Sequence, residues 1–357
     1  MVNFDSQSRR TYLQSVAATG AALALAGCAS DSDGNSTGGD GANESGQDGG
    51  GQSNGSGEGG ADDSSSSDDG QSGGSETAAV GEVVSNEKLA MVVTSVESTK
   101  KLGEFQEADE GNVYQVVQME VKNKTSDEFV NFSGFLQSRV KDDEDHVYDQ
   151  AIASTGSGSD FGSGQLAPGE VERGNLVYEV PESAGGLSLQ FDFSAFDLFE
   201  LDRVTVTLGE EADSIGDLQQ DLQVDVNSVG DTVSHEDVTV TLNNVRTTDE
   251  LGEYTKADEG KQYVIPDISV ENGTSEALNV SISLQMGVKD GEGNSYTVDI
   301  GSYSQLDQKF AQGSELAGGE TRRGELSYQV PKDTETLYFT FEFSLLELGD
   351  KAFWQLN

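Results

Sequence analysis

A chain of 357 residues with 65 acidic against 20 basic side chains carries a formal charge of −45, spread over both halves, which disfavours nucleic acid as a partner. Such charge is best tolerated where salt screens it, since the Debye length near 1 M is only about 3 Å, and the composition reads as that of a halophilic archaeon. A single cysteine excludes an intrachain disulfide and any multi-cysteine metal site.

The N-terminus reads Ser8-Arg9-Arg10-Thr11-Tyr12-Leu13, then an alanine-rich apolar run from Val16 to Ala26, then Gly27-Cys28. These features resemble a twin-arginine export signal joined to a lipoprotein cleavage box. Residues 1–27 are therefore expected to be a signal peptide, Arg9 and Arg10 the export signal, and Cys28 the lipid anchor. The apolar run is too short and too rich in small residues to span about 30 Å of hydrocarbon comfortably. From 28 to 83 the chain is mostly Gly, Ser, Asp, Asn, Glu, Gln and Thr, which cannot bury enough apolar surface to offset the entropy of ordering. It is expected to be a disordered tether reaching about 40 Å. Asn35, Asn43 and Asn54 sit in Asn-x-Ser/Thr triplets on it.

The first domain is expected over 84–210. Its strand signals are alternating or β-branched runs at Leu89 to Val96, Val113 to Val121, Phe129 to Val140, Leu176 to Val180, Leu187 to Phe193 and Val204 to Leu208. The clearest alternates Leu187, Leu189, Phe191 and Phe193 with polar residues, giving one buried and one wet face. An acidic stretch from about Gly209 to Asp231 reads as a loose connector, with the domain boundary near residue 222.

The second domain, 222–357, repeats the first. Leu102-Gly103-Glu104-Phe105-Gln106-Glu107-Ala108-Asp109-Glu110-Gly111 returns at Leu251 to Gly260, an offset of 149 that becomes 150 from Leu166 against Leu316 onward. Leu337, Phe339, Phe341 and Phe343 restate the alternating strand, and Leu326, Tyr328 and Val330 match Leu176, Tyr178 and Val180. A period this long indicates two separately packed domains rather than a solenoid. Short strands with frequent turn residues in a unit of this size favour an all-β fold of two tandem immunoglobulin-like antiparallel sandwiches. Each half is expected to own its core and to fold alone. Pro266 stands where the first copy has Val117, so its strand is expected at a sheet edge or bulged.

The repeated Ala-Asp-Glu-Gly before an aromatic strand, with Glu-Gly-x-x-Tyr at Glu110 to Tyr114 and Glu259 to Tyr263 and the turns at Asn123 and Asn272, resembles the domain family of unknown function 4352. That group is immunoglobulin-like, secreted and often lipid-anchored, related to mycobacterial and telokin-like antigens. The resemblance implies a fold and a cell-surface context and brings no catalytic residues.

Four further Asn-x-Ser/Thr triplets, at Asn123, Asn131, Asn272 and Asn279, are glycosylation candidates, with turn chemistry as the alternative. Asn123 and Asn272 rank first, because Asn131 and Asn279 fall in expected strands. The carboxylates Glu104, Asp109 and Glu110, with Glu253, Asp258 and Glu259, suit a calcium site by residue type. No Asp-x-Asp-x-Asp-Gly loop accompanies them, so they are read as solvated acidic turns, as is the run Lys141 to Asp145. Its counterpart Lys289 to Gly293 reads as a plain hairpin turn. His146 and His235 occupy non-equivalent places, and neither a nucleophile elbow nor a phosphate-cradling loop is present. No catalytic residue, metal or cofactor is expected. The function read from the sequence is a non-enzymatic cell-surface binding or interaction module, joined to the membrane through its N-terminal lipid and facing an unidentified extracellular protein or ligand. A structural envelope protein is the alternative reading, and an extracellular carboxylate-pair hydrolase a third.

Overall fold

The computed structural model describes residues 75–103, 106–151, 160–192, 203–252, 254–311, 315–343 and 351–357. Arg9, Arg10, Cys28, the three tether asparagines, Glu104, Phe193 and Glu253 lie outside the described residues.

Each half is a two-sheet sandwich built on the same plan. In the first, one sheet runs from edge to edge through Ser75–Val80, Arg203–Glu211, Ser188–Asp192, Ser138–Lys141 and Val147–Tyr148. The other runs through Val171–Pro181, Asn112–Asn123, Leu89–Thr99 and Val84–Ser85. The second sandwich repeats this. One sheet orders Val226–Asn227, Lys351–Gln355, Leu337–Glu342, Met286–Asp290 and Ser295–Tyr296, and the other Thr232–His235, Val238–Thr248, Lys261–Asn272 and Thr321–Glu325. In both copies the first strand pairs parallel with the last, an exception to the antiparallel expectation.

The alternating strands behave as their pattern demands. Leu189 and Phe191 are buried between half-exposed Ser188, Gln190 and Asp192. Leu337, Phe339 and Phe341 are buried likewise in the second copy, beside half-exposed Tyr338 and Glu342, although Thr340 between them is also buried. The two inner faces close separate apolar cores, one around Met91, Val117, Leu176 and Phe191, the other around Ile268, Tyr328, Phe341 and Trp354.

Four expectations are corrected. Ser75–Val80, inside the expected tether of 28–83, is a strand with Ala78 and Val80 in the first core, and its short, polar-flanked sequence gives little strand signal. Phe129 to Val140 is not one strand. Val130–Ser133 pairs with Ser163–Leu166, a helical turn follows at Gly134–Gln137 with the Ser133 hydroxyl accepting from the Leu136 amide, and Ser138–Lys141 then joins the other sheet.

The Pro266 strand is neither at an edge nor bulged. Lys261–Asn272 lies inside its sheet, and the bulge belongs to its neighbour, at Leu242 to Asn244, where the first copy is also bulged at Val93 to Ser95. What proline changes is the partner on the other side. It has no N–H to donate, and the single strand Val171–Pro181 of the first copy becomes two, Thr321–Glu325 and Tyr328–Pro331, in the second.

The acidic connector, finally, is not loose. Leu218 packs with Ala90, Val92 and Val171, Gly216 N–H bonds the Gly81 carbonyl, Lys122 Nζ donates to the Gln219 carbonyl, and Asp221 and Gln223 bond the Gly169 and Pro168 carbonyls. Leucine and polar backbone together strap it along the first sandwich.

Candidate functional site

The motif repeated most faithfully is a pair of turns. Gly111 (φ 89°) and Gly260 (φ 81°) adopt the left-handed conformation that glycine enters without steric cost. Each closes a turn in which the amide of residue 112 or 261 bonds the carbonyl of Asp109 or Asp258. The Asp109 amide is held by Glu179 Oε1 and the Asp258 amide by Gln329 Oε1, at equivalent places. Asp109, Glu110, Asp258 and Glu259 thus lie on turns at the surface. Among the described residues, no group of three or more His, Cys, Asp or Glu is placed to hold a metal.

Asn123 and Asn272 are corrected as glycosylation candidates. Both are fully buried. Asn123 Nδ2 donates to the carbonyls of Glu128 (2.7 Å) and Leu166 (3.0 Å), while Oδ1 accepts from the amide and hydroxyl of Thr125. Asn272 makes the same four bonds to Glu276, Leu316 and Thr274. The Asn-x-Thr spacing is therefore a clamp that closes a strand end, and the nitrogen a sugar would need is already used twice. Asn131 is half-buried in Val130–Ser133, whereas Asn279 is exposed outside any strand, which reverses the expected ranking.

A second repeated device organises the hairpin turns. Asp142 Oδ1 accepts from the amides of Glu144 and His146, and Oδ2 from Tyr148 OH and His146 Nδ1. Burial alone raises the Asp142 carboxyl, but these donors outweigh it and hold it down at about 2. Asp290 takes the same place, accepting from Glu292, Asn294 and Tyr296. The run Lys141 to Asp145 is accordingly a built turn rather than a loose acidic patch. Beside the Asp290 turn, Glu292, Asp333, Thr334, Glu335 and Thr336 line an open cleft of about 550 Å³.

What sequence reasoning missed lies between the sandwiches. Lys289, from the second, is buried with its ammonium 2.7 Å from Glu170 Oε1 and 2.6 Å from Glu172 Oε2 of the first. Lys351 Nζ reaches the same Glu170 oxygen at 2.7 Å and the Gln165 carbonyl at 2.9 Å. Ser295 Oγ donates to Glu172, and the Ala167 amide to the other oxygen of Glu170. Around this core, Arg173 bonds the Gly293 carbonyl through its amide and the Glu292 carbonyl through Nε, while its other nitrogens hold Glu120 and Asp217. Gln220 of the connector links the Val171 amide to the Asp290 carbonyl.

Burial alone raises the Glu170 carboxyl, but Lys289 and Lys351 outweigh it and hold it below the ordinary range. Burial lowers the Lys289 ammonium, and Glu170 and Glu172 reverse that and raise it. Glu342, where burial dominates and Lys351 only partly compensates, is raised. A charge group desolvated this far tolerates no missing member. The available signal was scarcity. With 20 basic residues in the chain, a lysine inside a buried strand needs an acid facing it.

The fold and this joint define the class: a tandem β-sandwich protein whose two domains are fastened through a buried polar cluster. The chain belongs to the family described as domain of unknown function (DUF4352), whose model matches it twice, over residues 78–198 and 227–351. No curated protein matches the sequence. Among solved structures, it is similar to an uncharacterised β-sandwich protein of Clostridium difficile, with 18% identity, 37% of this chain and 95% of that one covered, and a TM-score of 0.26. It is also similar to the secreted protein MPT63 of Mycobacterium tuberculosis, with 12% identity, 38% and 99% covered, and a TM-score of 0.29. A conserved hypothetical protein of Bacillus anthracis gives 19% identity, 37% and 95% covered, and a TM-score of 0.30. Family membership rests on the sequence match alone. No helix among the described residues is long and apolar enough to cross a membrane.

Proposed function

We propose that this protein is a non-enzymatic binding module on the surface of a halophilic archaeon, lipid-anchored through Cys28 and lifted from the membrane by its polar tether. The two sandwiches offer one extracellular partner a single fixed surface. The observation that carries this reading is the joint. Lys289 and Lys351 hold the carboxylate of Glu170 at the same distance, so the loops of both sandwiches keep one arrangement, and a partner touching both meets a preorganised site. Polar groups concentrated at such a joint serve positioning.

The test is capture from envelope extracts by the whole chain released from its anchor through Cys28→Ser. Saturable capture of one component, weakened by Lys289→Met, is the expected result. Turnover of an envelope polymer would replace this reading with a hydrolase, and unsaturable, salt-dependent association would replace it with a structural envelope protein. In cells, Cys28→Ser should move the protein from the membrane fraction to the medium, and Arg9→Lys with Arg10→Lys should stop its export.

A further inference from the structure

The joint uses one face of each sandwich: the edge strand Val171–Pro181 of the first and the hairpin turn around Asp290–Ser295 of the second. Because the sandwiches are repeats, each also carries the face it does not use. The second sandwich's edge strand, Thr321–Glu325, has Glu320, Arg323 and Gly324 where the first has Glu170, Arg173 and Gly174. The equivalence is structural. Glu320 accepts the Ala317 amide as Glu170 accepts that of Ala167, and the Asn272 amide bonds the Glu320 carbonyl as the Asn123 amide bonds that of Glu170. The first sandwich's turn has Lys141 where the second has Lys289, and the same aspartate clamp. Of these counterparts, Arg323, Glu320 and the turn's Asp145 face solvent, with side-chain exposures of 60%, 44% and 83%, and Lys141 is 30% exposed.

Two residues oppose a second joint. Gly293 sits at φ +99° against the first sandwich, where an added Cβ would lie 2.7 Å from the Val171 carbonyl oxygen. Its counterpart Asp145, at φ 69°, carries that Cβ. Glu172, which receives Lys289, has Arg322 as its counterpart, and Arg322 would meet Lys141 with like charge. We propose that the edge strand Thr321–Glu325 is a docking surface for the hairpin turn of a second copy of this chain, built on the pattern of the internal joint, and that Asp145 and Arg322 hold it shut. A head-to-tail contact of this kind leaves a free edge and a free turn at its ends and would grow beyond a pair, into a ring or a filament. The chain pairs its sandwiches once and stops.

The experiment is light scattering on the full Cys28→Ser chain in molar salt, over rising protein concentration. The native sequence should keep the mass of one chain throughout. Asp145→Gly with Arg322→Glu should raise the mass with concentration to two chains and beyond, and adding Arg323→Ala should return it to one. A native chain that already grows head to tail, or a folded Asp145→Gly, Arg322→Glu chain that stays at single-chain mass, overturns the proposal. Arg322 also bonds the carbonyls of Ala311 and Glu315. If its charge reversal unfolds the second sandwich, Asp145→Gly with Arg322→Gln takes its place under the same criterion. The reciprocal change isolates the steric half: Gly293→Asp should open the internal joint and enlarge the radius of gyration by X-ray scattering. An unchanged radius would overturn Asp145 as a barrier.

Discussion

The two sandwiches share their apolar skeleton and their asparagine and aspartate clamps, and differ at a few polar positions between them. Val117 becomes Pro266 and splits the neighbouring strand, Glu172 becomes Arg322, and Ser138, bonded by Tyr178, becomes Met286, which leaves the Tyr328 hydroxyl bare. The first sandwich has its edge covered by the second, and among the described residues the second takes no such cover from the first. The comparison teaches that strand alternation fixes the core of a repeat, whereas its partners are set by a few polar positions that duplication leaves free to diverge.

The largest effects should come from the shared skeleton. Phe191→Ala and Phe341→Ala each remove a fully buried ring and should cost about 3 to 5 kcal/mol, read by denaturant unfolding in molar salt. Because the cores are separate, each loss should fall first on its own sandwich. Equal melting of both sandwiches in either variant would mean a single core and end the comparison.

Next in size is the joint, which only one pair of faces makes. Lys289→Met leaves Glu170 and Glu172 desolvated without their main countercharge, a change that costs about 3 to 5 kcal/mol if the joint stays closed. Opening the joint readmits water and caps the loss, so the diagnostic readout is uncoupled unfolding of the two sandwiches. Persisting coupling would show that the straps at Arg173 and Leu218 suffice. The pH dependence has a definite sign. With its folded value lowered, Glu170 contributes fully above the unfolded carboxylate value near 4.5, and that contribution is lost as pH falls through the lowered one. Lys289, raised, contributes fully below its ordinary value of 10.5, and that contribution is lost as pH rises through the raised one. The joint should therefore open at both extremes, and Lys289→Met should abolish the alkaline limb.

A smaller and symmetric effect is expected at the clamps. Asn123→Ala and Asn272→Ala each remove four hydrogen bonds at a buried strand end, although the Glu128, Glu276 and Leu316 carbonyls each keep a second donor, and each should cost about 1 to 3 kcal/mol. Mass spectrometry of protein from its native host should find both side chains unmodified. A glycan at either would require that clamp to open.

Much of this was legible beforehand, and what was not has a common cause. The period of two reported the inner faces at Leu189 and Phe191 and at Leu337, Phe339 and Phe341, because burial acts on each residue separately. The offset between copies pointed to the two tandem regions that the family model matches. Asn123 and Lys289 were misread because their roles are set by what faces them from 40 or more residues away: the Leu166 carbonyl for one, Glu170 and Glu172 for the other. Pro266 was read through its own strand, when its consequence falls on the strand opposite.

The finest test of the comparison is a single hydroxyl. Tyr178 and Tyr328 occupy equivalent places at the centres of the two cores, and both are fully buried. Tyr178 OH donates to Ser138 Oγ at 2.6 Å, and Ser138 in turn donates to the Gly134 carbonyl, so the first core contains a short, satisfied polar chain. Among the described residues Tyr328 OH has no hydrogen-bond partner, since methionine occupies the serine's place. A buried hydroxyl without a partner loses its hydration and gains nothing in return. Tyr178→Phe should therefore destabilise the first sandwich by about 0.5 to 1.5 kcal/mol, the net worth of a typical hydrogen bond. Tyr328→Phe should be neutral or stabilise the second, by an amount on the order of 1 kcal/mol. The pair of midpoints must move in opposite directions, or the second must stay still. Equal losses at both positions would mean that the Tyr328 hydroxyl is satisfied and that the two cores are alike in their polar chemistry as well as their apolar one. Met286→Ser in the native background supplies the converse: with an acceptor restored beside Tyr328, Tyr328→Phe should become as costly as Tyr178→Phe.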